Sequence, residues 1–213
     1  MSKLHFHSFT TGKSISSFED SIQQLTTEKN LNSQHSFVQM QQVHEAKFQE
    51  ITSKTNILKP IKSIDACYTT LPNTFLSVKT ADCLPILISG TSKTAVPFIA
   101  AAHAGRKGTQ KKILLKLLNT LFQTYHWTQL NIWFGPAICV DCYQIDRKTH
   151  THFDLITQNK QQIDLCTAQN TLSSSTVTLT IANHCTLHEN QTYHSYRKSG
   201  PGVPMNYSFI GML

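Results

Sequence analysis

The longest periodic pattern along the chain is helical and lies in the middle of the sequence. Its apolar positions recur every three to four residues, at Ile113, Leu114, Leu117, Leu118, Leu121, Phe122 and Tyr125. Such a repeat places the apolar side chains on one stripe of a helix. We therefore predict a helix over residues 109–125, with its N-cap at Gly108 and Thr109.

Two further helices have weaker patterns. Residues 153–163 predict a second helix after the central one. Near the N-terminus, Ser17 is followed three residues later by Asp20, and the apolar residues Ile22 and Leu25 come next. A serine before such a run is a typical N-cap, so we predict a short helix that begins at this serine.

Runs of apolar and β-branched residues predict the strands. Residues 84–88 and 96–102 are almost continuously apolar, which suits strands that are buried on both faces. Residues 66–70 and 75–79 flank a Leu-Pro-Asn turn, and we predict that they pair as a hairpin. Shorter runs predict strands at residues 37–43, 48–53, 130–134, 176–182 and 207–213. Because strands outnumber helices and do not strictly alternate with them, we expect a single α+β domain over residues 1–213, with packed mixed sheets and outer helices.

Composition and charge exclude several classes of protein. Hydrophobic residues make up 39% of the 213 residues, but charged residues make up only 15%. This composition excludes an intrinsically disordered chain and a coiled coil. Nineteen basic residues against twelve acidic ones give a net charge of +7, which favours anionic partners such as phosphate. A nucleic-acid partner is not expected, because the sequence has no arginine-rich tail, zinc-finger spacing or aromatic-basic interleaving.

The sequence also bears on the cellular compartment. No apolar run approaches the length of a membrane-spanning helix, and residues 1–11 lack the apolar core of a signal peptide. We therefore expect a cytoplasmic protein without a membrane partner, whose six cysteines are reduced thiols. Cys139 and Cys142 form a Cys-x-x-Cys pair, but it has neither the βαβ context of a thioredoxin-like motif nor the second pair of a zinc ribbon. We expect no redox or metal function there.

Three polar residues stand where predicted strands end. His44 and Cys83 are 39 residues apart, and His103 follows Cys83 by 20 residues, spacings that are too long for a local metal motif. One cysteine and two histidines could hold zinc with three protein ligands, which leaves the fourth position for water or substrate. The alternative is two ordinary histidines and a buried thiol.

An ordered set of short motifs resembles a known family, the laccase-domain family. The motifs are Gln42-Val43-His44, Asp65-Ala66, Thr80-Ala81-Asp82-Cys83-Leu84-Pro85, His103-Ala104-Gly105, Gly135-Pro136-Ala137-Ile138, Asp154-Leu155 with Asn159 and Gln162, Cys185-Thr186, and Ser195-Tyr196-Arg197. Members of that family are described as polyphenol oxidases, as peptidoglycan editing factors, and as purine nucleoside phosphorylases with adenosine deaminase activity. The resemblance implies that His44, Cys83 and His103 bind one metal at the strand ends, usually zinc. Copper is the alternative, because copper(II) binds such ligands more tightly.

The resemblance also implies a reaction. We expect a zinc-dependent purine nucleoside phosphorylase for adenosine, inosine, guanosine and methylthioadenosine, with adenosine deaminase as a second activity. Arg197 is the matching family residue for phosphate, followed by Arg106, Lys107 and the backbone at Gly108 and Thr109. The alternatives are a peptidoglycan-precursor hydrolase, a copper-dependent polyphenol oxidase and a degenerate nucleotide-binding member.

The chain departs from the family pattern beside the predicted site. Arg106 and Lys107 replace the usual Trp-Arg, and His194 replaces the aromatic residue before Ser-Tyr-Arg. The metal ligands are thus intact in the sequence while the surroundings of the substrate differ. This difference is the reason to keep a degenerate, non-enzymatic member among the alternatives.

Overall fold

The helices lie at the two outer sides of the molecule and in short connections. The computed structural model of the chain describes residues 6–12, 15, 17–170 and 176–212. In these ranges the helices are α1 (Phe18–Lys29), α2 (Arg106–Gln110), α3 (Ile113–Tyr125), α4 (Leu155–Gln169) and α5 (Tyr196–Ser199). None of these helices has the length and apolarity needed to span a membrane.

The larger sheet has six strands in the described part of the chain. Its spatial order is β11 (Val177–Ile181), β8 (Gln129–Phe134), β6 (Leu84–Thr91), β7 (Pro97–Ala104), β4 (Ala66–Thr69) and β3 (Phe48–Glu50). The two apolar runs predicted to be doubly buried form β6 and β7, which pair antiparallel at its centre. The pairs β11–β8 and β3–β4 are parallel, so the sheet is mixed.

A smaller sheet packs against the larger one. Its order is β1 (Phe6–Thr10), β12 (Asn206–Met212), β5 (Thr74–Thr80) and β2 (Ser36–Val38), and a separate hairpin joins β9 (Gln144–Asp146) to β10 (Thr151–His152). Leu213, the last residue of the predicted final strand, lies outside the described residues.

Three clusters of buried side chains define four layers. One cluster fills the space between the two sheets, with residues such as Leu76 of β5 and Leu87 of β6. A second cluster packs α3 and α4 on the other face of the larger sheet, and a third packs α1 on the outer face of the smaller sheet. The order is therefore helix, sheet, sheet, helices, which confirms the predicted α+β class with packed mixed sheets and outer helices.

The first helix begins where its sequence predicts. The hydroxyl of Ser17 accepts a hydrogen bond from the backbone N–H of Asp20 at 3.0 Å, which satisfies one of the free donors of the first turn. The helix ends at Asn30, whose left-handed conformation (φ 51°) is typical of a C-terminal cap. Local side-chain chemistry alone explains both ends of α1.

The central helix differs from its prediction at the N-terminus. The chain enters the helical conformation at Arg106, and the N–H of Thr109 already donates to the carbonyl of Gly105 at 2.8 Å. Gly105 is therefore the N-cap of α2 and Lys112 is the N-cap of α3, so the predicted cap at Gly108 and Thr109 is wrong. Lys112 then adopts a left-handed conformation (φ 59°), which separates α2 from α3.

Two buried amides of α4 hold this break in place. The side chain of Asn159 donates to the hydroxyl of Thr109 at 3.0 Å, and that of Gln162 donates to the carbonyl of Thr109 at 3.0 Å. The side-chain oxygen of Gln162 in turn accepts the N–H of Leu115 at 3.1 Å. Two backbone groups at the break, the carbonyl of Thr109 and the N–H of Leu115, thus have side-chain partners in α4.

The predicted hairpin is wrong. β4 pairs with β3 and β7 in the larger sheet, whereas β5 pairs with β12 and β2 in the smaller one. The turn between them carries the chain from one sheet to the other. The sequence correctly predicts a turn here, since Asn73 adopts a left-handed conformation (φ 54°). A turn does not, however, specify whether the two strands that it connects pair with each other. Each strand is almost wholly buried and takes an interior position in its own sheet.

Candidate metal and substrate site

Three predicted ligands converge at one end of the larger sheet. His103 lies near the end of β7, Cys83 lies in the short connection from β5 to β6, and His44 lies in the loop before β3. Their ligand atoms, one from each side chain, all lie within 4.8 Å of one another. The structure therefore brings together residues that are separated by 39 and 20 positions in the sequence.

The three side chains differ in exposure. His103 is buried, Cys83 is half-buried and His44 is exposed. The Sγ of Cys83 lies 3.9 Å from the Nε2 of His44, and the two imidazole rings are nearly perpendicular, with centroids 4.7 Å apart. The cluster is thus anchored in the core at one side and open to solvent at the other.

A fully buried carboxylate organises both histidines. The Oδ1 of Asp65 lies 2.8 Å from the Nδ1 of His103, and the same carboxylate accepts the backbone N–H groups of Val43, His44 and Glu45. These hydrogen bonds hold the loop in which His44 takes a left-handed conformation (φ 60°). An ionised carboxylate only accepts hydrogen bonds, so Nδ1 carries a proton, and the neutral ring that a metal would bind offers the lone pair of Nε2.

The electrostatics of the cluster favour a thiolate. Burial alone would raise the pKa of Cys83, but the nearby imidazoles of His103 and His44 outweigh it and lower that pKa to about 6. Burial likewise disfavours the charged form of His103, yet Cys83 and Asp65 raise its pKa to about 9. A thiolate is the form of cysteine that binds a metal, so Cys83 is prepared for that role.

One glycine allows the close approach of the ligands. A Cβ atom at Gly105 would lie 2.8 Å from the Sγ of Cys83 and 3.2 Å from the Cδ2 of His44. The first distance is too short for any side chain. The glycine of the His-Ala-Gly motif therefore allows the backbone to lie close to the sulfur of Cys83. A larger residue at this position would displace that sulfur.

The buried Asp82 makes hydrogen bonds that connect several segments of the chain. Its Oδ1 accepts the hydroxyl of Thr186 at 2.7 Å, and its Oδ2 accepts the backbone N–H of Arg197 at 2.6 Å. Its own carbonyl accepts the N–H of Ile138 at 2.9 Å. This buried side chain with a left-handed backbone (φ 89°) ties three segments to the turn that carries Cys83.

Two of the predicted cations lie beside Tyr143. The guanidinium of Arg197 lies over its ring at 5.6 Å and donates to the carbonyl of Gln144 at 2.9 Å. Burial is the main cause that raises the pKa of Tyr143; the charge of Cys83 raises it further, whereas Arg106 and Arg197 oppose the shift. Arg106, Arg197 and Cys83 are thus all within electrostatic reach of one hydroxyl.

The remaining residues predicted to contact phosphate are Lys107, Gly108 and Thr109. The side chain of Lys107 is exposed. The N–H of Thr109 is already used inside α2, and Gly108 is buried within that helix. Thr109 therefore has no free N–H for phosphate, whereas a contact from the backbone of Gly108, in the first turn of α2, stays a prediction.

Sequence reasoning left Asp65 and Tyr143 without a role. Asp65 was part of a recognised motif, and a carboxylate directly before a buried strand is the one signal that could have indicated its function. Tyr143 has no such signal, because only the folded chain brings it close to Cys83 and the two arginines. Both belong to the site as the structure shows it.

Several known proteins are similar to this chain. A purine nucleoside phosphorylase of Haemophilus influenzae is 34% identical over 149 residues, which cover 63% of this chain and 59% of that protein. A protein named adenosine deaminase RL5, from an unknown prokaryotic organism, is 26% identical over 157 residues, which cover 66% of this chain and 59% of that protein. The chain thus spans less than two thirds of the length of these two relatives.

Solved structures and a family model extend the comparison. The crystal structure of the Bacillus licheniformis protein YfiH superimposes with a TM-score of 0.76 at 20% identity, over 91% of this chain and 80% of that one. This likeness shows the same fold. The family model described as multi-copper polyphenol oxidoreductase laccase matches residues 2–212. Because that match covers nearly the whole sequence, the chain belongs to this laccase-domain family.

Proposed function

We propose that this chain is a zinc-dependent purine nucleoside phosphorylase of the cytoplasm, acting on adenosine, inosine, guanosine and methylthioadenosine, with residues 1–213 forming one catalytic domain. The observation that carries the proposal is the convergence of His44, Cys83 and His103 on one point, with the buried Asp65 behind them. The name of the Haemophilus influenzae relative supports the reaction. Copper is the alternative metal, since it binds such donors more tightly than zinc does.

The donor set fits a zinc ion. Zinc is commonly bound by cysteine and histidine, and a site with three protein ligands is typical of catalytic zinc. The 3.9 Å between Cys83 and His44 is close to the roughly 3.5 Å that separates sulfur and nitrogen ligands of a tetrahedral zinc. Bound at these residues, the ion would supply Lewis-acid chemistry toward an oxygen of phosphate or ribose. Asp65 keeps His103 in the tautomer that offers Nε2.

Arg197 and Arg106 would bind the phosphate. In phosphorolysis a phosphate oxygen forms a bond to the anomeric carbon, while the bond from that carbon to the base nitrogen breaks and its electron pair leaves with the base. The transition state carries positive charge on the ribose, and a phosphate held beside it stabilises that charge. Arg197 is oriented by the carbonyl of Gln144 and the ring of Tyr143, which leaves other guanidinium donors for phosphate oxygens.

The test is the release of base from adenosine or inosine in the presence and absence of phosphate. We expect phosphate-dependent release by the wild-type chain and a loss of at least a hundredfold in the His103→Ala variant. His126→Asn is the matched control, because His126 is exposed and lies at the far end of α3, a helix about 20 Å long. Equal rates for the wild type and His103→Ala would overturn the proposal.

Deamination of adenosine is the second candidate activity. The relative named adenosine deaminase supports it, and the measurement is ammonia release from adenosine without phosphate. Three other results would contradict the proposed phosphorylase activity and indicate a different function. Amino-acid release from a muramyl peptide would indicate a peptidoglycan-precursor hydrolase, and oxidation of phenols by the copper-loaded chain would indicate a polyphenol oxidase. Bound zinc without turnover of any of these substrates would indicate a nucleotide-binding member.

A further inference from the structure

A second cluster of cysteines and histidine lies apart from the three ligands described above. It consists of Cys139, Cys142, Cys185 and His188, and one ligand atom from each of these side chains lies within 4.8 Å of the others. Cys185 is buried, Cys139 and Cys142 are half-buried, and His188 is exposed. The fold thus gathers three sulfurs and one imidazole at a single point near the surface.

The cluster is built from two pairs with the same spacing. Cys139 precedes and Cys142 ends a 3₁₀ helix, Val140–Cys142, so this tight turn directs both sulfurs to one side. Cys185 and His188 form the second pair, again separated by two residues. Two such short pairs from distant parts of a chain are the usual arrangement of a structural zinc site. The expectation that Cys139 and Cys142 lack a second pair is therefore wrong, because that pair ends in histidine.

The distances within the cluster suit a tetrahedral ion. A zinc ion with bonds of about 2.3 Å to sulfur and about 2.0 Å to nitrogen separates its ligand atoms by roughly 3.5 to 3.8 Å. The Sγ of Cys142 lies 3.2 Å from the Nε2 of His188, close to that separation, and the Sγ of Cys139 lies 3.9 Å from the Nδ1 of the same ring. An imidazole binds an ion through only one of these nitrogens. One ligand atom from each of the four side chains lies within 4.8 Å of the others, so side-chain rotations would bring the three sulfurs and one nitrogen to these bond lengths around a central ion.

The backbone beside the cluster also donates a hydrogen bond to one of its sulfurs, as is common around a thiolate ligand. The N–H of Cys139 donates to the Sγ of Cys185 at 3.4 Å. A backbone donor directed at a sulfur stabilises negative charge on it and orients the ligand. The residues on both sides are fixed by a β-bridge between Ala137 and Cys185, so the two pairs cannot separate without breaking backbone contacts.

We propose that Cys139, Cys142, Cys185 and His188 bind a second zinc ion, which is structural. Four protein ligands complete a tetrahedral shell and leave no position for substrate. The ion would join the loop after β8 to the loop after β11. Both loops contact Asp82, through the N–H of Ile138 and the hydroxyl of Thr186, so the ion would stabilise the turn that carries Cys83. This site is independent of the reaction proposed above.

The test is the number of zinc ions per chain after gel filtration in a mild chelator, measured by mass spectrometry of the metal. We expect two ions in the wild type, one in Cys142→Ser, one in His103→Ala and none in the double variant. Cys166→Ser is the matched control and should keep two, because the buried Cys166 contacts Asn170 and belongs to neither cluster. His188→Gln, at an exposed position, serves as the second variant if Cys142→Ser fails to fold.

Cobalt substitution identifies the ligands. In the His103→Ala background a Co²⁺-loaded chain should show the strong sulfur-to-cobalt charge-transfer absorption of a tetrahedral site with three thiolates. The absorption should fall by about a third when one thiolate is removed, as in Cys139→Ser. One zinc ion in both the wild type and Cys142→Ser, or a disulfide between Cys139 and Cys142 in chain purified without oxygen, would overturn the proposal.

Discussion

The two cysteine–histidine clusters differ in their donors and in what lies behind them. His44, Cys83 and His103 offer three donors, and the carboxylate of Asp65 supports one of them. The other cluster, Cys139, Cys142, Cys185 and His188, offers four donors and is joined by backbone contacts. Asp82 lies between the two, since it directly precedes Cys83 and accepts the hydroxyl of Thr186, the residue after Cys185.

The difference matches the two tasks proposed above, one catalytic and one structural. Three protein ligands leave a position for a reacting molecule, whereas four close the shell. In the three-donor cluster the imidazoles lower the pKa of Cys83 to about 6. In the four-donor cluster burial and the neighbouring sulfurs of Cys139 and Cys185 raise the pKa of Cys142. Without a metal, Cys83 is therefore stabilised as a thiolate, whereas Cys142 is stabilised as a thiol.

The largest expected effect comes from the carboxylate behind the three-donor cluster. In Asp65→Asn the amide keeps the shape of the side chain but loses its charge, so the proton on the Nδ1 of His103 is held less firmly. We expect the zinc affinity of that cluster to fall by roughly 10- to 100-fold, while the other ion stays bound. Competition with a chelator measures both ions.

Asp146→Asn is the control for this substitution. Its carboxylate also accepts backbone N–H groups, from Lys148 and Thr149, but it is exposed and belongs to neither cluster. Its zinc affinities should match those of the wild type. Release of both ions from Asp65→Asn would show that the two clusters are one cooperative unit, which would remove the distinction between them.

A smaller effect is expected from filling the space at Gly105. In Gly105→Ala the new methyl group would collide with the sulfur of Cys83, and the forced shift should cost about 1–3 kcal/mol of unfolding free energy. Thermal unfolding and the zinc content of the chain measure the result. In Gly12→Ala the nearest atom is the carbonyl oxygen of Thr192 at 3.4 Å, an ordinary contact, so this control should unfold like the wild type. A stable Gly105→Ala chain with unchanged zinc affinity would contradict the argument.

The contrast between the thiols can be measured by their pH dependence. After removal of metal, Cys83 should be alkylated by iodoacetamide with a midpoint near pH 6, because its thiolate population rises above that pH and falls below it. At pH 7 Cys142 should react far more slowly. Mass spectrometry of peptides measures both rates.

His103→Ala tests the cause of this reactivity. Without the imidazolium, burial should dominate, and the midpoint for Cys83 should move up by about one pH unit or more. Cys67 is an internal reference, because burial raises its pKa to about 12 and it should stay unlabelled throughout. An unchanged midpoint would show that His103 does not set the charge of Cys83.

The smallest expected effect separates two of the three predicted cations, Arg197 and Lys107. Arg197→Ala should raise the KM for phosphate about tenfold with a smaller change in kcat, because it removes a charge-assisted contact to the anion. Lys107→Ala should stay within about twofold of the wild type, since its side chain is exposed to solvent, which weakens its interaction with an anion. Steady-state kinetics with varied phosphate measures both. An equal rise in the KM for phosphate in both variants would indicate that Lys107 also binds phosphate.

Much of the architecture could be read from local patterns. The cap at Ser17, the apolar stripe of α3 and the buried runs of β6 and β7 each depend on neighbours in sequence, and each is found where it was predicted. The errors concern the pairing partners of strands and the boundary of one helix. A turn near Asn73 joins two sheets instead of two strands of one sheet, and the glycine at position 108 lies inside a helix rather than before it.

The sequence by itself determined the types of donor atom, the places where strands end and the class of fold. Only the tertiary structure decided which donors meet. Strand order and the passage between sheets set the distance from Cys83 to His44 and His103, and no spacing along the chain records that order. The same holds for Cys142 and His188, which are 46 residues apart in sequence and 3.2 Å apart, sulfur to nitrogen, in space. The type of each side chain determines which atoms it can bind, whereas long-range packing determines which other side chains lie next to it.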